Sequence, residues 1–388
     1  MRVNPLASST VVRRRQTLRW GALGLLPGVL GCVSRAPADL AAPETPWPVA
    51  ADYPQAFHTA GNRILDTAGR PRVLRGVAVP EVVWVAQRQD DQLGFFDRRM
   101  FRAAAEWRAD VLRLSIMPAV WRRHGDTEMF RVLDAAVAYA RRYGLYLILC
   151  FHSIGFPPDG AYVSLKDWFY GELFRTDGAE IYRFWQRIAQ RYASEPAVAF
   201  YELLNEPARI LADGSFATDD RAEHWDRWRI WCEELIDGIR VFDPRKPVLV
   251  GGLQFGYNLT WAEANPVRRP NVIYATHPYA GADWRFSWED AFLRPSRRYP
   301  VMATEFGWDA QRHPETAHKG PTPYREAIFQ AFDRAQIGWC AWSFSHDFPP
   351  SLLAEPRSFT PSAYGQVVRA ALQARAAPLP GGAGASGR

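Results

Sequence analysis

Apolar residues in this chain gather in eight short runs separated by longer stretches of mixed polarity. The runs are Val73–Val79, Val111–Ser115, Leu145–Phe151, Ala197–Leu204, Pro247–Gly251, Val272–Thr276, Val301–Thr304 and Trp339–Ser343. They have the length and composition of buried strands. Between them, Phe130–Tyr143, Ala179–Tyr192, Ala222–Phe242 and Tyr324–Gln336 repeat their apolar positions at helical spacing. Strands alternating with helices predict an α/β fold with a parallel sheet, and the number of runs predicts a closed (β/α)₈ TIM barrel. An open doubly wound sheet would want a Gly-rich phosphate turn after its first strand. Gly76-Val77-Ala78-Val79-Pro80 is not one. Ahead of the barrel, Arg63-Ile64-Leu65-Asp66, a turn at Ala68-Gly69-Arg70-Pro71 and Val73-Leu74 predict a short N-terminal β-hairpin.

The flanks follow a different pattern. In residues 1–32, Arg13, Arg14 and Arg15 precede Gln16-Thr17-Leu18 and an apolar stretch from Trp20 to Leu30. That stretch is short for a bilayer span, so the segment reads as an export signal of twin-arginine type. Val29-Leu30-Gly31-Cys32 resembles a bacterial lipobox, whose cysteine becomes a lipidated N-terminus; an ordinary cleaved signal would leave Cys32 without a role. On either reading the mature protein lies outside the cytoplasm, in the periplasm, anchored in the envelope or secreted. Residues 33–55 are rich in Ala and Pro and predict a tether, residues 56–375 the barrel domain, and 376–388 a disordered tail.

Composition narrows the function. The chain has 388 residues, 48% of them hydrophobic, enough to bury a large core. The net charge of +6 is carried almost wholly by arginines scattered along the chain, which argues against a nucleic-acid partner. Cys150, Cys232 and Cys340 fall in apolar or helical contexts with no zinc-site spacing and predict buried free thiols; neither metal nor cofactor is implied. Sixteen tryptophans are many, and Trp84, Trp168, Trp284 and Trp308 sit in loop-like contexts. Core filling explains most such residues, but an aromatic face in a loop also matches the C–H face of a sugar ring.

Candidate chemistry clusters where the runs end. Asn205-Glu206-Pro207 closes the fourth run and Glu305-Phe306-Gly307 follows the seventh, so each leaves a glutamate at a strand end. Arg113 lies on the second run, His152 follows the third, His277-Pro278-Tyr279 follows the sixth, and Trp342 lies on the eighth. Barrel enzymes do their chemistry at this end of the strands. Paired carboxylates there suit glycoside hydrolysis, one held protonated and one ionised, and a cation such as Arg113 beside Glu305 would separate the two roles. Glu202 shares the parity of Glu206 but lies deeper, which predicts a structural role with a buried arginine. Glu195, Glu223 and Glu263 read as surface residues. His346 and Asp347 fit a cleft or a plain loop equally well.

These motifs resemble glycoside hydrolase family 5, the cellulase family of retaining (β/α)₈ glycosidases. The resemblance runs from about Arg63 to Leu372 and rests on Leu74-Arg75-Gly76-Val77, Val111-Leu112-Arg113-Leu114, Asn205-Glu206-Pro207, His277-Pro278-Tyr279, Glu305-Phe306-Gly307 and Trp342. It implies Glu206 as general acid/base, Glu305 as nucleophile and Asn205 as partner of the sugar 2-hydroxyl. It further implies that Arg113 and Tyr279 orient Glu305, that His152 and His277 line the pocket, and that Trp342 floors it. The implied activity is cleavage of a β-linked glucan by a monomer acting on poly- or oligosaccharide. A β-mannan or β-1,3-glucan substrate, transglycosylation, and a non-catalytic carbohydrate-binding envelope lipoprotein are the alternatives. Ala78-Val79-Pro80 stands where many cellulases carry an Asn and an aromatic. The long aromatic loop Ser153–Thr176 is expected to wall the cleft.

Overall fold

A computed structural model of the protein describes residues 46–82, 97–162, 171–284, 286–355 and 358–375. The export signal with Cys32, the C-terminal tail, and Trp84 and Trp168 lie outside the described residues, as do the positions 163–170 of the long aromatic loop.

In chain order the strands are β1 (Phe57–Ala60), β2 (Arg63–Asp66), β3 (Arg75–Val79), β4 (Val111–Ile116), β5 (Tyr146–Phe151), β6 (Ile154–Phe156), β7 (Ala161–Tyr162), β8 (Val198–Glu202), β9 (Glu206–Pro207), β10 (Val248–Gly251), β11 (Val272–Thr276), β12 (Val301–Ala303) and β13 (Gly338–Ala341). A closed barrel runs in the order β10-β11-β12-β13-β3-β4-β5-β8, every neighbouring pair parallel. All eight predicted runs are its strands.

The predicted helices are present as Pro118–Tyr143, Gly178–Tyr192, Ala222–Arg240 and Tyr324–Ala335. The first begins well before the expected Phe130 because Pro118 suits a first helical turn, while Gly125, at φ 73°, breaks it into two pieces. Arg98–Glu106 and Ala363–Arg375 are further helices.

The hairpin is present with a different pairing. β1 pairs antiparallel with β2 from Phe57↔Asp66 to Ala60↔Arg63, leaving Gly61-Asn62 as a two-residue turn. Gly61 takes φ 55°, a conformation glycine adopts without strain. The expected turn at Ala68–Pro71 is real, but Asp66 folds it locally: its Oδ1 accepts from the backbone N–H of Ala68 and Arg70, and its Oδ2 from Arg70 Nε. Only an isolated bridge between Leu65 and Pro71 remains of the predicted second arm.

Strand alternation divides the core in two. Outward residues such as Leu112, Leu114, Tyr201, Val250, Tyr274 and Trp339 pack against the helices. Inward ones, among them Val111, Tyr146, Ile148, Phe200, Leu249, Ile273 and Met302, fill the barrel. Phe57 and Ile64 of the hairpin join that inner cluster. Phe57 meets Tyr146 edge-on at 4.8 Å between ring centroids, so the hairpin closes the N-terminal end of the barrel. The last part of the expected tether is also seated there: the Tyr53 hydroxyl donates to Leu145 O (2.6 Å), and Tyr146 accepts from the Gln55 amide (3.0 Å).

The helix layer fixes the far ends of the strands as well. Trp185 Nε1 donates to Leu203 O at 3.0 Å and Trp228 Nε1 to Gly251 O at 2.9 Å, both indoles fully buried. A buried carbonyl at a strand end needs a donor, and an indole supplies one while filling the core. Trp308, read as a possible sugar platform, is a core residue, nearly buried against Tyr364, Tyr324 and Phe329.

Candidate active site

The charged inward strand positions, Arg113 and Glu202, lie toward the C-terminal end of the barrel. On β4, Val111 is followed by Arg113; on β5, Tyr146 and Ile148 are followed by Cys150 and then His152; on β8, Phe200 by Glu202. Period-two alternation keeps these residues on one face, and their depth decides whether they meet apolar or polar neighbours.

Arg113 is the hub. Fully buried, it needs partners for its planar fork of donors. Nε donates to Glu202 Oε2 (2.5 Å), Nη1 to Glu305 Oε1 (2.7 Å), and Nη2 to both Asn205 Oδ1 (2.7 Å) and Cys150 Sγ (3.1 Å). The other oxygen of Glu305 accepts from the Tyr279 hydroxyl at 2.6 Å. Burial and the charge of Glu305 push the Tyr279 hydroxyl well up, so it remains a donor. Two donors on two oxygens suit a carboxylate that only accepts. The expectation that Glu202 lies below the site with a buried arginine holds, and that arginine is the same Arg113. Burial alone would raise the Glu202 carboxyl, but Arg113 and His277 hold it down to about 2.

Glu206 is held differently. The fourth strand ends at Glu202, and Glu206-Pro207 forms a separate short strand, β9, beside β6 in a three-stranded side sheet with β7. Its backbone N–H donates to Ser153 O (3.1 Å). The Glu206 side chain keeps 14% exposure, against 5% for Glu305. Burial and the charge of Glu305 raise its carboxyl above the ordinary range, opposed by its hydrogen bond with His277. His277 Nδ1 lies 3.2 Å from Glu206 Oε1 and 3.8 Å from Glu305 Oε2. Burial would lower this imidazole, but Glu305, Glu202 and Glu206 together push it up to about 9.

Glu206, His277 and Glu305 each offer a donor atom within 4.8 Å of the other two. Such a trio has the residue types of a metal site. Here both oxygens of Glu305 are engaged by Arg113 and Tyr279, and a guanidinium 2.7 Å away opposes a second cation. Within the trio, Glu206 and His277 are at hydrogen-bond distance, 3.2 Å.

His152 and Trp342 complete the cluster, their rings parallel within 2° at 5.5 Å between centroids. Burial and the charge of Arg113 hold His152 well below the usual imidazole range, so it is neutral. Its Nδ1 is buried without a hydrogen-bond partner among the described residues. All eight predicted site residues thus meet at one end of the barrel. His346 and Asp347 lie in a local turn after the eighth barrel strand, with Asp347 Oδ1 accepting from Ser345 Oγ. The sequence reading assigned nothing to Thr304 or Gly256. Thr304 is a polar residue at inward parity immediately before Glu305, a detectable signal. Gly256 has φ 80°, and a Cβ there would stand 2.9 Å from His277 Cγ.

Known proteins resemble this chain in sequence and fold. A family model described as Cellulase (glycosyl hydrolase family 5) matches residues 65–348. Endoglucanase E-5 of Thermobifida fusca is 29% identical over 310 residues, covering 76% of this chain and 57% of that protein. Endoglucanase CelA of Streptomyces lividans is 25% identical over 301 residues, covering 74% and 56%. The chain therefore spans little more than half the length of these curated relatives. Among solved structures, the native β-glucanase of Saccharophagus degradans matches with a TM-score of 0.72 at 27% identity, covering 82% of this chain and 93% of that one. The same protein in complex with cellotetraose matches at 0.71 and 28% identity, with the same coverage. The matched span takes in all eight barrel strands and every residue of the Arg113 cluster, and by it this chain belongs to glycosyl hydrolase family 5.

Proposed function

We propose that the protein is a retaining, endo-acting β-glucan hydrolase in which Glu305 is the nucleophile and Glu206 the general acid/base. The observation that carries this reading is the carboxyl spacing: an oxygen of Glu206 and one of Glu305 lie within 4.8 Å. Retaining glycosidases hold their carboxyls about 5–5.5 Å apart, whereas inverting ones leave roughly 6.5–9.5 Å for a water. Glu305, clamped by Arg113 and Tyr279, attacks the anomeric carbon and forms a glycosyl-enzyme. Glu206 protonates the departing glycosidic oxygen and then deprotonates the water that releases the sugar. Asn205, with Oδ1 taken by Arg113, turns its amide N–H₂ to the sugar 2-hydroxyl, and Trp342 offers an apolar face to the ring.

The glucan assignment is supported by the names of the relatives, endoglucanases and a β-glucanase, and by the cellotetraose bound to one of them. A panel of carboxymethyl cellulose, barley β-glucan, mannan and laminarin tests it, with proton NMR of the first product formed from a soluble oligosaccharide. The expected result is rapid loss of glucan viscosity with the β-anomer formed first. A first-formed α-anomer overturns the retaining mechanism, exclusive cleavage of mannan or laminarin overturns the substrate, and products longer than the substrate indicate transglycosylation. The protein works outside the cytoplasm, held to the envelope through Cys32; fractionation of a Cys32→Ser variant, expected to leave the membrane fraction, tests that.

A further inference from the structure

Glu202 touches neither the cleft nor a reacting atom, yet it is bonded to both halves of the site. Its Oε2 accepts from Arg113 Nε at 2.5 Å, and its Oε1 accepts from the Thr304 hydroxyl at 2.7 Å. His277 Nε2 lies 3.0 Å from that same hydroxyl oxygen. The hydroxyl has one proton. With that proton given to a buried carboxylate, which can only accept, the Thr304 oxygen meets His277 as an acceptor. His277 must then carry its proton on Nε2. Reversing the chain would leave Glu202 Oε1 without this hydrogen bond in a fully buried setting, the costlier arrangement.

We propose that Glu202 is a positioning residue for both catalytic carboxyls: it aims Arg113 at Glu305, and through Thr304 it fixes His277 as the Nε2–H tautomer, leaving Nδ1 to hold the acid proton of Glu206. The consequence for that proton is definite. When the Glu206–His277 pair gives up its shared proton, neutral His277 turns a lone pair, not a donor, toward ionised Glu206 across 3.2 Å. The ionised acid gains no hydrogen bond there, so the pair keeps its proton to higher pH. The charged and titratable groups around the pair are Glu202, Glu305, Arg113, Tyr279 and His152, and they are the same in the comparison that follows.

The test is Thr304→Val in the full-length protein, with Thr304→Ser as the conservative variant. Long-range proton–nitrogen NMR of protein carrying ¹⁵N-histidine reads the His277 tautomer directly, assigned by difference against His277→Asn. The spectra are taken above about pH 9, where the ring is neutral. The parent and Thr304→Ser are expected to show Nε2–H, and Thr304→Val to show Nδ1–H. This readout needs no turnover, so it stands apart from the glycosidase reading, on which only the kinetic part rests. In kinetics, Thr304→Val should move the alkaline limb of kcat/KM down by about one pH unit, the tenfold change of an ordinary hydrogen bond. For the other arm, Glu202→Gln should lower kcat about tenfold with KM held on an aryl glycoside whose leaving group needs no proton. An Nδ1–H tautomer in the parent, or an unchanged tautomer in Thr304→Val, overturns the relay. Unchanged kcat in folded Glu202→Gln overturns the Arg113 arm.

Discussion

The two ends of the barrel interior are built on the same strands and could hardly differ more. At the N-terminal end, Phe57, Ile64, Leu74, Val111, Tyr146, Ile148, Phe200, Leu249 and Ile273 form an apolar plug. A few residues further along the same faces, Arg113, Glu202, Thr304, His277, Glu206 and Glu305 form a continuous chain of hydrogen bonds. The plug is held by area removed from water, which tolerates small shifts. The upper layer is held by directed bonds between buried charges, where each missing partner is costly and each misplacement reaches a reacting group. Stability and chemistry are thus separated by depth within one cavity.

That contrast predicts different failures at the two ends. The largest effect is expected from Glu305→Ala, with kcat falling about 10⁴-fold or more, as for other lost nucleophiles. Glu206→Ala should cost about 10²–10⁴-fold on unactivated glucan and much less on substrates with good leaving groups. Thermal melts of Glu206→Ala should stay near the parent, while Glu305→Ala, which removes one carboxylate from buried Arg113, should melt somewhat lower but remain folded; a collapse of either fold would erase the distinction. Next comes Phe200→Ala in the plug, expected to destabilise by about 3–5 kcal/mol while kcat of the remaining folded protein is unchanged well below the new Tm. Loss of kcat without loss of stability would show the plug to be part of the site.

Gly256→Ala should lie between the two behaviours. Its Cβ would press on the His277 ring at a backbone φ of 80° that strains alanine, so the displaced imidazole should cost roughly 10²-fold in kcat together with a lowered denaturation midpoint. The smallest effect is a pH dependence. His277 has a folded value of about 9 against an ordinary 6.5, so it binds its proton more tightly when folded. The stability it contributes is fully present below pH 6.5 and is lost as pH rises through 9. Tm should decline across that window, and His277→Asn should flatten the decline. The raised Glu206 carboxyl gives the matching kinetic sign: kcat/KM should fall with rising pH at a midpoint above the ordinary glutamate range.

Much of this was readable beforehand, for physical reasons. A strand buried on both faces must be a continuous apolar run, so eight runs gave eight barrel strands with ends off by at most two residues. The turn pairings were less visible. His58-Thr59-Ala60 is too polar to read as a strand arm, and Asp66 builds its own turn, so the hairpin was paired one segment too late. The loop tryptophan Trp308 has the composition of a sugar platform and the surroundings of a core residue.

The alternation of apolar and polar positions, and the points where each run stops, determined by themselves the barrel, the eight strand-end residues and the pair of glutamates. Those properties are local, because a side chain's face and its distance from the strand end follow from its position in the run. Which nitrogen of Arg113 serves Glu305 and which serves Glu202 was decided only in three dimensions, as was the passage from Glu202 through Thr304 and His277 to Glu206. These are bonds of a few ångströms between residues far apart in the chain. Their geometry exists only once barrel closure has brought β4, β8, β11 and β12 around a common axis.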